Sequence, residues 1–462
     1  MVEKKFGLIH LGNDESYGLI FVAGELTKEG HNIRWFDGDS DDLLQQVNAW
    51  EPDFIFFSPL TTFFKKSLTL SKKIKELLPN VRSIFGGHHV FAEPNSIELE
   101  GVDLIVQGSI YSTIDKIINS TKKEVIKGIL IPTKNMIPSR REYYEAIPRM
   151  ANRHRKYIMS HFGCVYNCSY CSNSRVRKFY GAEIYLKHCF DRREIKDLIS
   201  EAKIFLDYPT KEVSLEDDDI LSGPNIEQWL EEFASAWKKE IGLPTYANVT
   251  PLTVVKVSDN SLKILAGLVN SVQMGVQTAR YESLKLFNRL AQNEEIVKAA
   301  YDRLTSFGIP VKMEFILGLP VKDPVGDAIA SIKLAQKVGA GTFISAFPLM
   351  IYPGTDLNIW CKENNIEFND ECTSEWHTGI GSIKFDPITT KRIINLTKMA
   401  TMFVKYNINE RWMRALIDMN ITPSASKGLS KCQYLESLIF RLGKDTAEKE
   451  FEKIITEMDF KY

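Results

Sequence analysis

The sequence predicts an α/β protein: an open parallel sheet, then a partial (β/α)6 barrel, then a helical C-terminal region. Two stretches in which apolar runs alternate with amphipathic runs, separated by a proline-rich interval, predict the first two parts; helix-period patterning after about residue 375 predicts the third. At 462 residues the chain is too long for one core, which implies two or three domains.

In the first stretch, "FGLIHLG" (6–12), "DFIFFSPL" (53–60), "SIFGG" (83–87) and "VDLIVQG" (102–108) are short apolar runs ending in turn-forming or small residues, as buried parallel strands do. Between them "YGLIFVAGELTKEG" and "KSLTLSKKIKELLP" carry helix-period apolar positions and stop at Gly or Pro. Residues 1–125 therefore read as a Rossmann-like sheet with helices on both faces, whose ligands sit beyond the carboxyl ends of the strands. Residues 126–154 contain three prolines and no sustained period, and read as a linker.

The second series spans 155–374. Its strands are "KYIMSHF" (156–162), "EVSLEDDD" (212–219), "PTYANVT" (244–250), "SVQMGVQ" (271–277), "VKMEFILGLP" (311–320) and "TFISAFPLM" (342–350), with helical patterns such as "EEIVKAAYDRLTSFG" between them. Six such units suggest a partial barrel, with its working groups at the C-terminal strand ends. Residues 375–462 read as helical.

A hydrophobic share of 44%, a charged share of 25% and a formal net charge of -1 describe an ordinary globular chain without a broad electrostatic footprint for nucleic acid. The N-terminal apolar run is too short for a signal peptide and no run reaches the length of a membrane span, so a cytoplasmic location is expected. Of seven cysteines, Cys189, Cys361, Cys372 and Cys432 are scattered and read as packing residues.

The other three lie in "HFGCVYNCSYCSNS" (161–174): Cys164, Cys168 and Cys171, spaced C-x3-C-x2-C just after the first barrel strand. A structural zinc site needs a fourth ligand, for which His161 is the close candidate; an iron-sulfur cluster held by three thiolates leaves one iron open. Spacing alone leaves iron-sulfur, zinc and packing readings open.

The same motif, with Tyr170 before the last cysteine, resembles the radical S-adenosylmethionine (radical SAM) signature. "LEDDDIL" (215–221), "VQMGVQTARYESLKLFNR" (272–289, with Gln277 in place of Glu), "GIPVKMEFILGLP" and "YPGTDL" (352–357) resemble further stretches of that family. The order of N-terminal βα domain, "SRREYYEAIP" segment and barrel is similar to the cobalamin-binding subclass. The resemblance implies a 4Fe-4S cluster on Cys164, Cys168 and Cys171, its open iron chelated by SAM. An electron from a donor such as ferredoxin or flavodoxin would cleave SAM to methionine and a 5'-deoxyadenosyl radical. Tyr170, Glu216, Asp217, Asp218, Asn248 and Gln277 fall where family members touch SAM.

For cobalamin, the resemblance implies contacts from the strand-end loops: Gly12, Ser16 and Tyr17; Ser58, Leu60, Thr61 and Thr62; Gly86, Gly87 and His88; and Gly108. The Asp-x-His motif of other cobalamin domains is missing, so no lower histidine ligand is expected, and neither His88 nor His89 is assigned a cobalt bond. Ser109 and Tyr111 stand where the family has a Gly-Glu-x-Glu run.

Together these imply a C-methyltransferase that moves a methyl group from methylcobalamin to an unactivated sp3 carbon after hydrogen abstraction, on a peptide or protein residue or a small molecule. A radical cyclase is the alternative enzyme reading, and an iron-sulfur or cobalamin sensor the non-enzymatic one. Trp376, His377, Trp412 and Arg414 are candidates for closing the pocket.

Overall fold

The structure, a computed structural model, describes residues 3–339, 342–369, 380–445, 447–448 and 451. Among them, β1 (Lys5–His10), β2 (Asn32–Asp37), β3 (Phe54–Phe57), β4 (Arg82–Phe85), β5 (Leu104–Gln107) and β6 (Glu124–Lys127) form one parallel sheet in the order β2-β1-β3-β4-β5-β6. Successive side chains pass to opposite faces: Phe6 and Leu8 join one core cluster, while Ile9, Ile55, Phe57 and Phe85 join another on the far face. Burial of both faces accounts for the near-continuous apolar runs. The order reverses between β1 and β3, so the cleft beyond their carboxyl ends is the switch point at which such sheets bind ligands. β2 and β6 escape the sequence reading because they are edge strands; "NIRWFD" and "EVIK" carry charges at their open positions.

The second sheet runs β7 (Arg155–Ile158), β8 (Glu212–Leu215), β9 (Thr245–Val249), β10 (Ser271–Gln277), β11 (Val311–Leu317) and β12 (Ile344–Pro348), in sequence order and parallel throughout. β7 and β8 stop earlier than the sequence suggests, because residues 159–162 and 216–219 leave the ladder to bond each other. In β11, Val311, Met313, Phe315 and Leu317 are buried against the outer helices, whereas Lys312, Glu314 and Ile316 line the interior and stay partly accessible. This alternation puts an ion pair on the interior face, Lys312 Nζ lying 3.5 Å from Glu314.

Residues 126–154 do more than connect. Tyr143 and Tyr144 are buried in a core cluster that runs from the first sheet into the barrel. Arg140, 1% exposed, donates from Nη1 to Glu15 at 2.6 Å, from Nη2 to Glu201 at 2.6 Å and to the Tyr157 carbonyl at 3.0 Å. The helix Pro387–Lys405 packs on β12, and the helix Pro423–Leu442 closes the barrel floor, with Phe440 against Phe343 and Arg441 paired to Glu212. No helix among the described residues is long and apolar enough to cross a membrane.

Candidate active site

The chain leaves β7 at Ile158 and turns through Gly163, at φ +93°, into the three-cysteine loop. A Cβ on Gly163 would lie 2.6 Å from both the Cys189 Sγ and the Tyr185 hydroxyl, so glycine lets the loop lie flat on the helix Ala182–Cys189. Tyr185 Oη accepts from the Cys164 amide at 3.0 Å. Cys164, Cys168 and Cys171 are free thiols; Cys168 is buried, the other two partly accessible. Burial raises the Cys164 thiol and pushes Cys171 up to about 12, so iron would bind with proton release.

Among the described residues no three His, Cys, Asp or Glu side chains converge on a single ion. His161 is fully buried, with Nδ1 3.3 Å from Asp217 and its ring against Phe190. Among the described residues it forms no ligand group with the cysteines.

The acidic end of β8 divides its labour. Asp217 faces inward: its oxygens accept from the Ser160 amide at 2.7 Å, the Ser160 hydroxyl at 2.6 Å and the His161 amide at 2.9 Å, and Arg192 lies 3.2 Å away. These partners hold its carboxyl well below the usual carboxylate range against the effect of burial. Asp217 thus anchors the start of the cysteine loop, and its side chain is spent before any ligand arrives. Asp218 instead keeps an accessible side chain that is walled in by protein, an enclosure that raises its pKa; it accepts from Asn173 at 2.8 Å. Glu216 is likewise raised by burial and partly accessible. Asn248 donates to the Asp217 carbonyl at 3.2 Å. Gln277 sits at φ +74° where the β10–β11 register slips, and its amide folds over Gly275. A non-glycine residue held there is the strained, bulged backbone that functional strand ends carry. Tyr170 turns behind the loop, its ring 4.5 Å from Phe287 and its hydroxyl 3.4 Å from Arg289.

In the first sheet, three of the expected loops meet at the switch point. The Ser58 hydroxyl lies 2.7 Å from where a Cβ on Gly87 would stand and 3.1 Å from one on Gly18. Leu60 projects, 52% exposed, ahead of the turn Thr61–Phe63 that contains Thr62. Gly86 packs under Phe56, and His88 keeps an accessible ring although enclosed, its pKa lowered by burial and by Arg175. His89 is turned back, stacked 3.8 Å from Phe64.

Other residues expected at this cleft are occupied. The Gly12 amide donates to Asp39 at 2.9 Å and its carbonyl accepts from Arg149 at 2.6 Å, and Ser16 Oγ lies 2.8 Å from His10 Nδ1. Tyr17 lays its ring against the Arg140 guanidinium at 4.9 Å, and its hydroxyl is buried beside that ion cluster without a hydrogen-bond partner. The flank of Gly108 is filled by the Tyr180 hydroxyl, which also accepts from the Ser109 amide at 3.3 Å. Tyr111 accepts from the Ile137 amide at 3.2 Å. Ser109 and Tyr111 are thus spent on packing between segments.

Arg175, four residues after Cys171, joins the two strand-end faces. It donates to the His88 carbonyl at 2.9 Å and to the Pro353 carbonyl, with its guanidinium 5.3 Å from the Phe91 ring centre. The sequence offered no signal for it beyond its closeness to the cysteines. The lumen residues Lys312 and Glu314 were also missed, although the charges alternating through "VKMEFIL" record them. Trp412 and Arg414 lie on an outer helix surface, Trp412 61% exposed and Arg414 paired to Glu410, so they close no pocket. Trp376, His377 and Cys372 lie outside the described residues.

The Radical SAM superfamily matches residues 158–332, and the B12 binding domain matches residues 10–118. An uncharacterized methyltransferase of Pyrococcus horikoshii is 22% identical over 424 residues, covering 83% of this chain and 86% of that protein. The radical S-adenosylmethionine methyltransferase TsrM from Kitasatospora setae, solved with cobalamin and a 4Fe-4S cluster, is similar at TM-score 0.66 and 14% identity over 98% of this chain and 100% of that one. Its complex with tryptophan and a SAM analogue gives TM-score 0.67 at 13% identity over 97% and 100%. OxsB, a cobalamin-dependent S-adenosylmethionine radical enzyme solved with aqua-cobalamin and SAM, gives TM-score 0.64 at 13% identity over 98% of this chain and 75% of that one. At such identities the likeness is one of fold.

Proposed function

We infer the chemistry of this chain from its place among the cobalamin-binding radical SAM enzymes, to which a B12 binding domain joined to a radical SAM domain assigns it: the protein is a methyltransferase. The observation that carries this reading is the meeting of two strand-end faces. The cysteine loop after β7 and the Ser58–Gly87–His88 cleft after β3 and β4 are tied together through Arg175.

When bound, the cluster and SAM supply one-electron chemistry and cobalamin carries the methyl group, neither of which side chains can do. The chain's part is to hold and orient. Cys164, Cys168 and Cys171 are the cluster ligands, and Asp217 fixes the approach of their loop. Glu216, Asp218, Asn248 and Gln277 present polar groups to SAM from the barrel mouth. Ser58, Gly87 and His88 face the corrin side.

The finer reading is transfer to an unactivated sp3 carbon of a peptide or protein residue. The Kitasatospora enzyme of similar fold was solved with tryptophan as substrate, so amino acids belong in the same screen.

The test is anaerobic production with cobalamin, reconstitution with iron and sulfide, and measurement of both metals with 5'-deoxyadenosine release and label transfer from methyl-deuterated SAM. About four irons and about one cobalt per chain are expected, with iron lost when Cys164, Cys168 and Cys171 are all changed to Ala. Iron without cobalt would overturn methyl transfer through cobalamin.

A further inference from the structure

We propose that Arg289 is a positioning residue for the electron-transfer step: its guanidinium, hydrogen-bonded to Cys168, sets the charge felt by the cluster and so raises its reduction potential. This rests on reading Cys164, Cys168 and Cys171 as cluster ligands.

Arg289 is 4% exposed, and its Nη1 donates to the Cys168 Sγ at 3.3 Å and the Tyr170 hydroxyl at 3.4 Å. Nη2 donates to the Gly275 carbonyl and to Gln292, while Nε is buried with no partner. Its partners are a thiol, a phenol, a carbonyl and a side-chain amide, so among the described residues no carboxylate hydrogen-bonds to it. Burying an unmatched guanidinium is costly unless an anion faces it. The group it faces is a thiol that becomes a thiolate on binding iron, and Cys168 is the most buried of the three ligands, where a charged hydrogen bond acts most strongly.

Its position does not depend on its own hydrogen bonds alone. The segment Leu286–Arg289 is stitched to the cysteine loop by the Ser169 amide on the Phe287 carbonyl at 3.1 Å and the Ser169 hydroxyl on the Leu286 carbonyl at 2.6 Å. Asn288, at φ +55°, adds a bond from its side-chain amide to the Asn167 carbonyl at 2.8 Å. These bonds remain when Arg289 is replaced, so the loop keeps its support while the charge is removed. A cation beside the cluster favours the reduced, more negative state.

The test is a potentiometric titration followed by electron paramagnetic resonance on reconstituted wild-type, Arg289→Gln and Arg289→Lys proteins. Arg289→Gln is expected to retain iron while its reduction constant falls about tenfold, a shift of 59 mV to more negative potential for a one-electron couple; Arg289→Lys is expected to recover most of it. A wild-type potential in the Gln variant, or a Lys variant as low as Gln, would overturn the proposal. If the Gln variant takes up no iron, wild-type protein labelled with 15N-arginine decides: a nitrogen coupling to the reduced cluster supports the contact, and its absence refutes it. Wild-type protein that binds no iron would remove the underlying cluster reading instead, a separate failure.

Discussion

His10 ends β1 fully buried, its Nδ1 2.8 Å from Ser16 Oγ and its Nε2 3.1 Å from the Gly12 carbonyl. Those partners suit a neutral ring that donates from Nε2 and accepts at Nδ1. Burial first, and the nearby Arg149 second, lower its pKa from 6.5 to about 4. A histidine that is harder to protonate folded than unfolded leaves stability intact above pH 6.5, and stability falls as pH drops from 6.5 towards 4. Between pH 7 and pH 5 the apoprotein should lose about 2 kcal/mol from this group. Thermal melts at the two pH values check this: His10→Gln should show a smaller drop, and an equal drop in both proteins would contradict the assignment.

At the level of elements, the loop after β4 depends on Gly87, which has φ +82° and lies against Ser58. Gly87→Ala would pay about 1–2 kcal/mol for a left-handed alanine and push the β3 and β4 loops apart. Cobalt uptake should fall while iron uptake stays at the wild-type level; equal loss of both metals would point to general unfolding. How far such elements can be read from sequence varies with what shapes them. Central strands such as β3 and β10 declare themselves because their apolar or alternating pattern follows directly from burial. β2 and β6 do not, since an edge strand needs only part of its surface covered. The sequence overextends β7 and β8 because the apolar and acidic pattern runs on past them, and only the Asp217 hydrogen bonds show where the ladder ends. The three cysteines were legible from their spacing. Arg289 stood within a stretch read from its resemblance, but nothing in one dimension says that it reaches back 121 positions to Cys168.

Across the whole molecule, Arg140 holds three segments at once: Glu15 from the loop after β1, the Tyr157 carbonyl of β7 and Glu201 from the helix Ile195–Phe205. Arg193 pairs with Glu201 at 2.7 Å, so two cations meet two anions in a buried cluster. Arg140→Met would strand Glu15 without a cation and should cost about 3–5 kcal/mol, read as a lowered melting midpoint even before any cofactor is added. An unchanged midpoint would mean the cluster contributes nothing to stability. Because Arg140, Tyr143 and Tyr144 belong to the interior of both halves, the two sheets are not exchangeable cassettes. Grafting a foreign barrel onto this N-terminal half would succeed only if the stretch between them travelled with a matching Glu15 and Glu201, so recombination should have inherited these pieces as a single unit.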